Sequence, residues 1–293
     1  GIAQCLQSVA LTYQWAGNYK KSINNYNKSI EELKKIGTMG DIYISKKGLI
    51  YCNYYLGNYD RALELIDECY EFGTNIKDNY TIINSMQQKI SCLMQKGLLN
   101  KAIQYCSNAI DIALKLESKI DLCIVHGLMG EIFFETKNLK DSMRHLDIAI
   151  NIYKKNNLMA HYTSFIYCVK AENIIMQYSM QKHKITYGQK IKFHKKIKTI
   201  CKKAIYYTKN CPEYRMCATR CLAKYYNIIN KPNLAEKYFL NAIEEAISVE
   251  RCYEEGRGLY EYGMFLNRQE RFDESQKCLE LAYDIFKNLG AGI

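Results

Sequence analysis

Three cysteines fall within eleven residues, Cys211, Cys217 and Cys221, and they are the densest set of side chains that could hold a soft metal ion or respond to oxidation. Cys217 and Cys221 stand one helical turn apart. No histidine and no second cysteine pair completes a zinc set, and Cys221 reads equally well as a packing residue. The five histidines, His126, His145, His161, His183 and His194, include no i, i+4 pair and no adjoining carboxylate motif, so the helix of a metalloprotease is absent. No Gly-x-x-x-x-Gly-Lys or Gly-x-Gly-x-x-Gly loop is present to cradle a phosphate, and no Gly-x-Ser-x-Gly turn to expose a nucleophile. Gly256 and Gly258 lie in a helical pattern and read as close-packing points. The expectation is a chain with no catalytic residues, no metal and no cofactor.

Lysine is the other conspicuous residue. From Asn173 to Pro212 there is no Asp or Glu, while Lys182, Lys184, Lys190, Lys192, Lys195, Lys196, Lys198, Lys202, Lys203 and Lys209 all fall there, with His183 and His194 among them. This stretch supplies +10 of the formal net charge of +11, so the rest of the chain is nearly neutral. One reading is an anion patch, built chiefly from Lys182, Lys184, Lys190, Lys192, Lys195 and Lys196. It would meet nucleic acid, phospholipid head groups or an acidic protein, with Tyr187 and Phe193 adding stacking. The other reading is a solvated loop and a lysine-lined helix face that keep the protein in solution. No zinc knuckle or RNA-binding aromatic motif accompanies the lysines.

The elements that carry these residues show themselves as a repeat. Gly17-Asn18-Tyr19, Gly57-Asn58-Tyr59 and Gly97-Leu98-Leu99 are 40 residues apart, and the next register falls on Lys137-Asn138-Leu139. After each turn, small residues stand seven apart: Ser22 and Ser29, Ala62 and Cys69, Ala102 and Ala109, Ser142 and Ala149, Ala235 and Ala242, Ser275 and Ala282. Seven residues are about two helical turns, so each pair shares a face against which a neighbouring helix can approach closely. Midway between them stands a mostly large apolar residue, such as Tyr26, Ile66, Leu146 or Phe239, completing the stripe of a half-buried helix. Apolar-periodic stretches also precede the turns, as with Leu6, Val9, Ala10 and Tyr13. Each unit is therefore helix, short turn, helix. Two prolines in 293 residues and 48% apolar composition fit packed helices with short links and exclude wholesale disorder. No apolar run is long enough to span a membrane. Thirteen cysteines, an odd number scattered among apolar neighbours, read as free thiols in a reducing, cytoplasmic setting. Gly1–Ala10 lacks a basic leader, and the missing initiator Met is what a piece of a longer protein would show.

A fifth unit fits if Ile197 and Ala204 replace the small pair. Its first helix then runs from about Tyr162 to Tyr178, and an excess of some 13 residues falls around Gln181 to Phe193. The organisation expected is 1–160 for repeats one to four, 161–212 for the atypical fifth with its lysine-rich insert, and 213–293 for repeats six and seven, as one continuous solenoid.

The pattern resembles the tetratricopeptide repeat (TPR) family. The matching residues are the small ones late in the first helix (Ala10, Gly130, Ala223, Gly263), the turn glycine with its aromatic (Gly17 and Tyr19, Gly57 and Tyr59), and the paired small residues of the second helix. The family's proline closing the second helix is missing, the period is 40 rather than 34, and Ile50 replaces one small residue. The resemblance implies an all-α, right-handed TPR superhelix of about seven helix-turn-helix repeats. It also implies a concave groove lined by first helices. On this register the groove residues are Gln7, Leu11 and Gln14; Lys47, Tyr51 and Tyr54; Gln87, Ser91 and Met94; Glu131 and Phe134; Arg220, Lys224 and Asn227; and Tyr260, Met264 and Asn267. Aromatic area with amides and cations suits a peptide, although Leu11 and Phe134 also read as core. The run from Glu254 to Gly263, with Ala282 to Phe286 and Leu289 to Ala291, is similar to the end of TPR regions in large bacterial signalling proteins such as the maltose-regulon transcriptional activator. The function expected is a non-catalytic scaffold for a protein or peptide, the docking arm of a larger signalling protein. The alternatives are an effector- or signal-peptide-sensing domain controlling an attached ATPase, kinase, cyclase or DNA-binding domain, and an anion-binding module through the lysines.

Overall fold

The computed structural model describes residues 1–37, 39–159 and 163–291. His161 and Tyr162, the latter expected to open the fifth unit, lie outside the described residues. Among the described residues are fourteen helices and no strand. The first helices of the repeats are α1 (Ile2–Trp15), α3 (Met39–Tyr55), α5 (Asn79–Gln95), α7 (Lys119–Glu135), α9 (Ser164–Gln181), α11 (Pro212–Ile228) and α13 (Cys252–Arg268). The second helices are α2 (Tyr19–Ile36), α4 (Tyr59–Asn75), α6 (Leu99–Lys115), α8 (Leu139–Asn156), α10 (Tyr187–Thr208), α12 (Pro232–Ser248) and α14 (Phe272–Leu289).

The seven-residue pairs do what their size allows. Ser22, Ser29, Ala62, Cys69, Ala102, Ala109, Ser142, Ala149, Ala235, Ala242, Ser275 and Ala282 are all buried, as are Ile197 and Ala204 in the fifth repeat. In the first and last repeats the leading serine is satisfied by the first helix: Ser22 Oγ donates to the Ala10 carbonyl and Ser275 Oγ to the Gly263 carbonyl, both at 2.8 Å. The acceptor in each case belongs to the small residue late in the first helix, so close approach and hydrogen bonding are one device. The turns repeat as well. Gly17, Gly57 and Gly97 take a left-handed backbone, and Lys137, Asn230 and Glu270 take it at the equivalent turns without the freedom of glycine.

The chain divides into two compact units. The first holds residues 1–112 together with 247–253 and the C-terminal residues from 285. The second holds 113–246 and 254–284. Within the first unit α1 packs on α2 and α3, and α3 on α4 and α5. Within the second α7 packs on α8 and α9, and α9 on α10 and α11. Within each unit first helices thus touch first helices, a repeat burying its face on the next.

In the fifth repeat the excess residues around Gln181 to Phe193 fall mainly in helix: only 182–186 separate α9 from α10, and α10 runs to 22 residues. Thr186 starts it with a reciprocal cap. Its Oγ1 accepts from the Gln189 amide, and Gln189 Oε1 accepts from the Thr186 amide at 2.8 Å.

Candidate functional site

The faces of the first helices carry polar and aromatic side chains in both units. In the first unit Gln7 joins α1 to α3, its Nε2 donating to the Asp41 carbonyl and to Ser45 Oγ at 2.9 Å each. The last turn of α3 brings up Tyr51, Tyr54 and Tyr55. Tyr55 Oη donates to Tyr51 Oη at 3.0 Å, and its ring meets Tyr51 edge-on at 4.4 Å and stacks on Tyr19 at 5.3 Å. Arg251 lies over the Tyr55 ring at 4.2 Å, a cation–π contact with a partly desolvated guanidinium. From α5, Gln95 donates to Tyr54 Oη at 3.2 Å. Tyr51, Tyr54, Lys47, Ser91, Met94, Leu11 and Gln7 are half-buried, whereas Gln14 and Gln87 are buried. Gln14 is occupied by Tyr26, whose hydroxyl donates to it at 3.1 Å.

In the second unit the first helices α7, α9, α11 and α13 share a network of charges. At its centre Arg220 is 1% exposed, with a different carboxylate opposite each nitrogen of its guanidinium. Nη1 donates to Glu254 at 2.6 Å, Nη2 to Glu172 at 3.2 Å, and Nε lies 3.1 Å from Glu261. Lys224, one turn further along α11, sits 2.6 Å from Glu261 and 3.4 Å from Glu172. Arg257 of α13 reaches Glu172 at 3.0 Å and Glu135 at 3.8 Å. Cys217 Sγ donates to Glu254 at 3.3 Å, which accounts for one of the three clustered thiols. Among the described residues no group of His, Cys, Asp or Glu has the arrangement of a metal site.

The electrostatics of this face are uneven. Burial alone would raise the Glu172 pKa, but Lys224, Arg257 and Arg220 together hold it well below the usual carboxylate range. Glu131 goes the other way. Burial, reinforced by Glu135 and opposed by Arg257, pushes its pKa up to about 8. The carboxylates Glu131, Glu135, Glu172, Glu254 and Glu261 outnumber the cations Arg220, Lys224 and Arg257, so even with Glu131 protonated the face keeps an excess of negative charge.

The expected groove residues thus separate. The second-unit network brings together Glu131, Arg220 and Lys224. Arg220 and Phe134 are buried, Asn227 and Met264 are half-buried, and Tyr260 and Asn267 are exposed. A ligand would reach Gln14, Gln87, Phe134 or Arg220 only by displacing what covers them. Glu135, Glu172, Glu254, Arg257, Glu261 and Arg251 were missed by sequence reasoning. The signal for four of them was spacing: Glu131 and Glu135 are one turn apart on α7, and Glu254 and Glu261 flank Arg257 two turns apart on α13. Structure also pairs two histidines that sequence left apart, with His126 and His145 Nδ1 atoms at 3.0 Å. The anion-patch residues Lys182, Lys184, Lys192, Lys195 and Lys196 are exposed and Lys190 half-buried on α10 and the link before it.

No family model matches the chain, and no curated protein matches it in sequence. Solved structures do resemble it. A Rap protein complexed with competence and sporulation factor superposes with a TM-score of 0.75 at 12% identity, over 97% of this chain and 74% of that one. The Rap conjugation gene regulator of plasmid pLS20, in complex with the Phr* peptide, gives 0.71 at 12% identity over 97% and 73%. A signal transduction ATPase with numerous domains from Pyrococcus horikoshii, which has a tetratricopeptide repeat sensor, gives 0.50 at 16% identity over 91% of this chain and 40% of that one. These likenesses show the fold: an all-α solenoid of TPR-like helix pairs.

Proposed function

We propose that this protein is a non-catalytic, peptide-binding regulatory scaffold whose ligand lies on the first-helix faces. The observation that carries the reading is the second-unit charge network. Its centre is buried and rigidly paired, while Lys224, Arg257, Glu135 and Glu261 remain partly accessible around it. The fixed pattern of both charges in the second unit, and separately the aromatic face in the first, favour a polar peptide over a flat apolar surface. That two similar proteins were solved as complexes, one with competence and sporulation factor and one with the Phr* peptide, supports this reading.

The test is binding of a library of short labelled synthetic peptides, read by fluorescence anisotropy. Peptides that bind the second unit are expected to lose about tenfold in affinity, about 1.4 kcal/mol, on Lys224→Gln, and any that bind the first unit as much on Tyr51→Ala with Tyr54→Ala. Selection of no peptide, or equal affinity for the variants with the helix signal intact, overturns the proposal.

A second reading concerns the parent protein. The motif from Glu254 to Gly263 and the likeness to an ATPase with a repeat sensor support a cytoplasmic regulator in which these repeats bias an attached switch domain. Nucleotide hydrolysis by the parent protein, unchanged by a bound peptide, would count against it.

A further inference from the structure

We propose that the outer face of α10 and the turn before it dock on an anionic phospholipid surface. Four observations carry this, all centred on α10 and the end of α9 that meets it.

The first is length. At 22 residues α10 is the longest helix described, the others having 14 to 18, so it extends about 7 Å beyond a 17-residue neighbour. Its first ten residues contain no fully buried side chain; burial begins at Ile197. That projecting part is held on α9 by Tyr178, whose hydroxyl lies 3.0 Å from His194 Nε2 and whose ring meets Phe193 at 5.8 Å. The turn is therefore a supported finger rather than a loose loop.

The second is unpaired charge. None of the ten lysines from Lys182 to Lys209 forms an ion pair among the described residues. Elsewhere lysines do find acids on the neighbouring helix: Lys46 with Glu68, Lys89 with Asp67, Lys96 with Asp60 and Lys170 with Asp147. With no carboxylate between Asn173 and Pro212, the face keeps its full positive field.

Third, the finger exposes apolar groups among those lysines. Tyr187 is 80% exposed, Met180 68% and Ile191 40%. On α10, Ile191, Lys195, Lys198 and Lys202 follow at spacings of four, three and four. They form one stripe about 120° around the helix from the buried Ile197, Cys201, Ala204 and Thr208.

Fourth, the stretch contains no arginine. Base readout and bidentate phosphate capture favour the planar guanidinium, and a phosphate backbone gives Met180 and Ile191 nothing to bury against. Lysine heads spread around an apolar tip match the headgroup layer of a membrane, where the tip enters the acyl boundary and the ammonium groups stay wet.

Flotation of the whole chain with vesicles is the test. Vesicles of phosphatidylcholine alone are compared with the same lipid containing about 30% phosphatidylserine, each at low salt and at about 0.15 M. The wild type is expected to float with the anionic vesicles only, and less at the higher salt. Each lysine near such a surface contributes roughly fivefold. Reversing four, in Lys190→Glu, Lys192→Glu, Lys195→Glu and Lys196→Glu, should lower partitioning by at least about a hundredfold. Tyr187→Ser with Ile191→Ser touches only exposed side chains, so it keeps the test decisive if the charge-reversal variant fails to fold; it should weaken binding while leaving its salt dependence in place. Duplex DNA and polyglutamate serve as competing polyanions. Absence of flotation, equal flotation with both lipids, or binding to DNA or polyglutamate alone overturns the proposal.

Discussion

Arg220 and Glu131 show how differently one face treats its charges. Arg220 is wholly enclosed and each of its nitrogens faces a carboxylate, so the cost of burying it is offset only while all three acids remain. Arg220→Ala leaves Glu172, Glu254 and Glu261 facing one another with Lys224 and Arg257 alone. The expected cost is about 3–5 kcal/mol in unfolding free energy, measured by urea denaturation. Glu131 is one of the two acids in excess of the cations on this face. Its folded pKa is about 8, above its ordinary value, so the folded state binds a proton that the unfolded state releases from about pH 4.5 upward. Its contribution to stability is complete below about pH 4.5 and is lost as pH rises through about 8. Glu131→Gln should flatten that decline, with a higher melting temperature than wild type at pH 8 and the same one at pH 4.5. These roles were only partly legible. Glu131, Arg220 and Lys224 stand out as charges at groove positions. Glu172 does not, because a lone glutamate in an apolar helix carries no sign of which cations two and four helices further along the chain will meet it.

At the scale of the helix pair the sequence is far more explicit. Two small residues seven apart, preceded by a turn, are enough to place the second helix of six of the seven repeats, because close packing there favours small side chains. The fifth repeat was the hard case. Its pair is Ile197 and Ala204, and the lysines between Lys182 and Lys196 have the composition of loop even though Thr186 and Gln189 spell a helix start. A run of like charge reads as solvated chain; helix is recovered only by noticing that Ile197, Cys201, Ala204 and Thr208 keep one face buried. The turn itself offers a prediction. Lys137 occupies the left-handed conformation that Gly17, Gly57 and Gly97 fill in the first three repeats. Its Nζ does lie over the Phe134 ring at 5.7 Å, but an exposed contact of that length returns little. Lys137→Gly should therefore raise unfolding free energy by about 0.5–1 kcal/mol, read as a higher denaturation midpoint with unchanged slope.

In the molecule as a whole, the first unit is not a simple succession of neighbours. Its N-terminal helices are joined by residues from the far end of the chain. Val249 packs on Gly17, Leu289 lies where a side chain on Gly57 would be, and Arg251 covers Tyr55. Tyr253 and Phe286 meet at 5.4 Å and tie the two C-terminal pieces together. In an ordinary solenoid a defect in the last helix is felt by the last repeat and its neighbour alone, since stability is a sum of nearest-neighbour terms. Here the sequence-distant contact makes α14 part of the support for α3 and α4. Leu289→Ala should cost about 1–2 kcal/mol for the half-buried side chain. The decisive readout is where protection is lost. Amide hydrogen exchange should accelerate around Gly57 and the start of α4, more than 200 residues away in sequence. Faster exchange confined to α13 and α14 would mean that the C-terminal residues rest on the first unit without stabilising it, and that its repeats stand by neighbour packing alone.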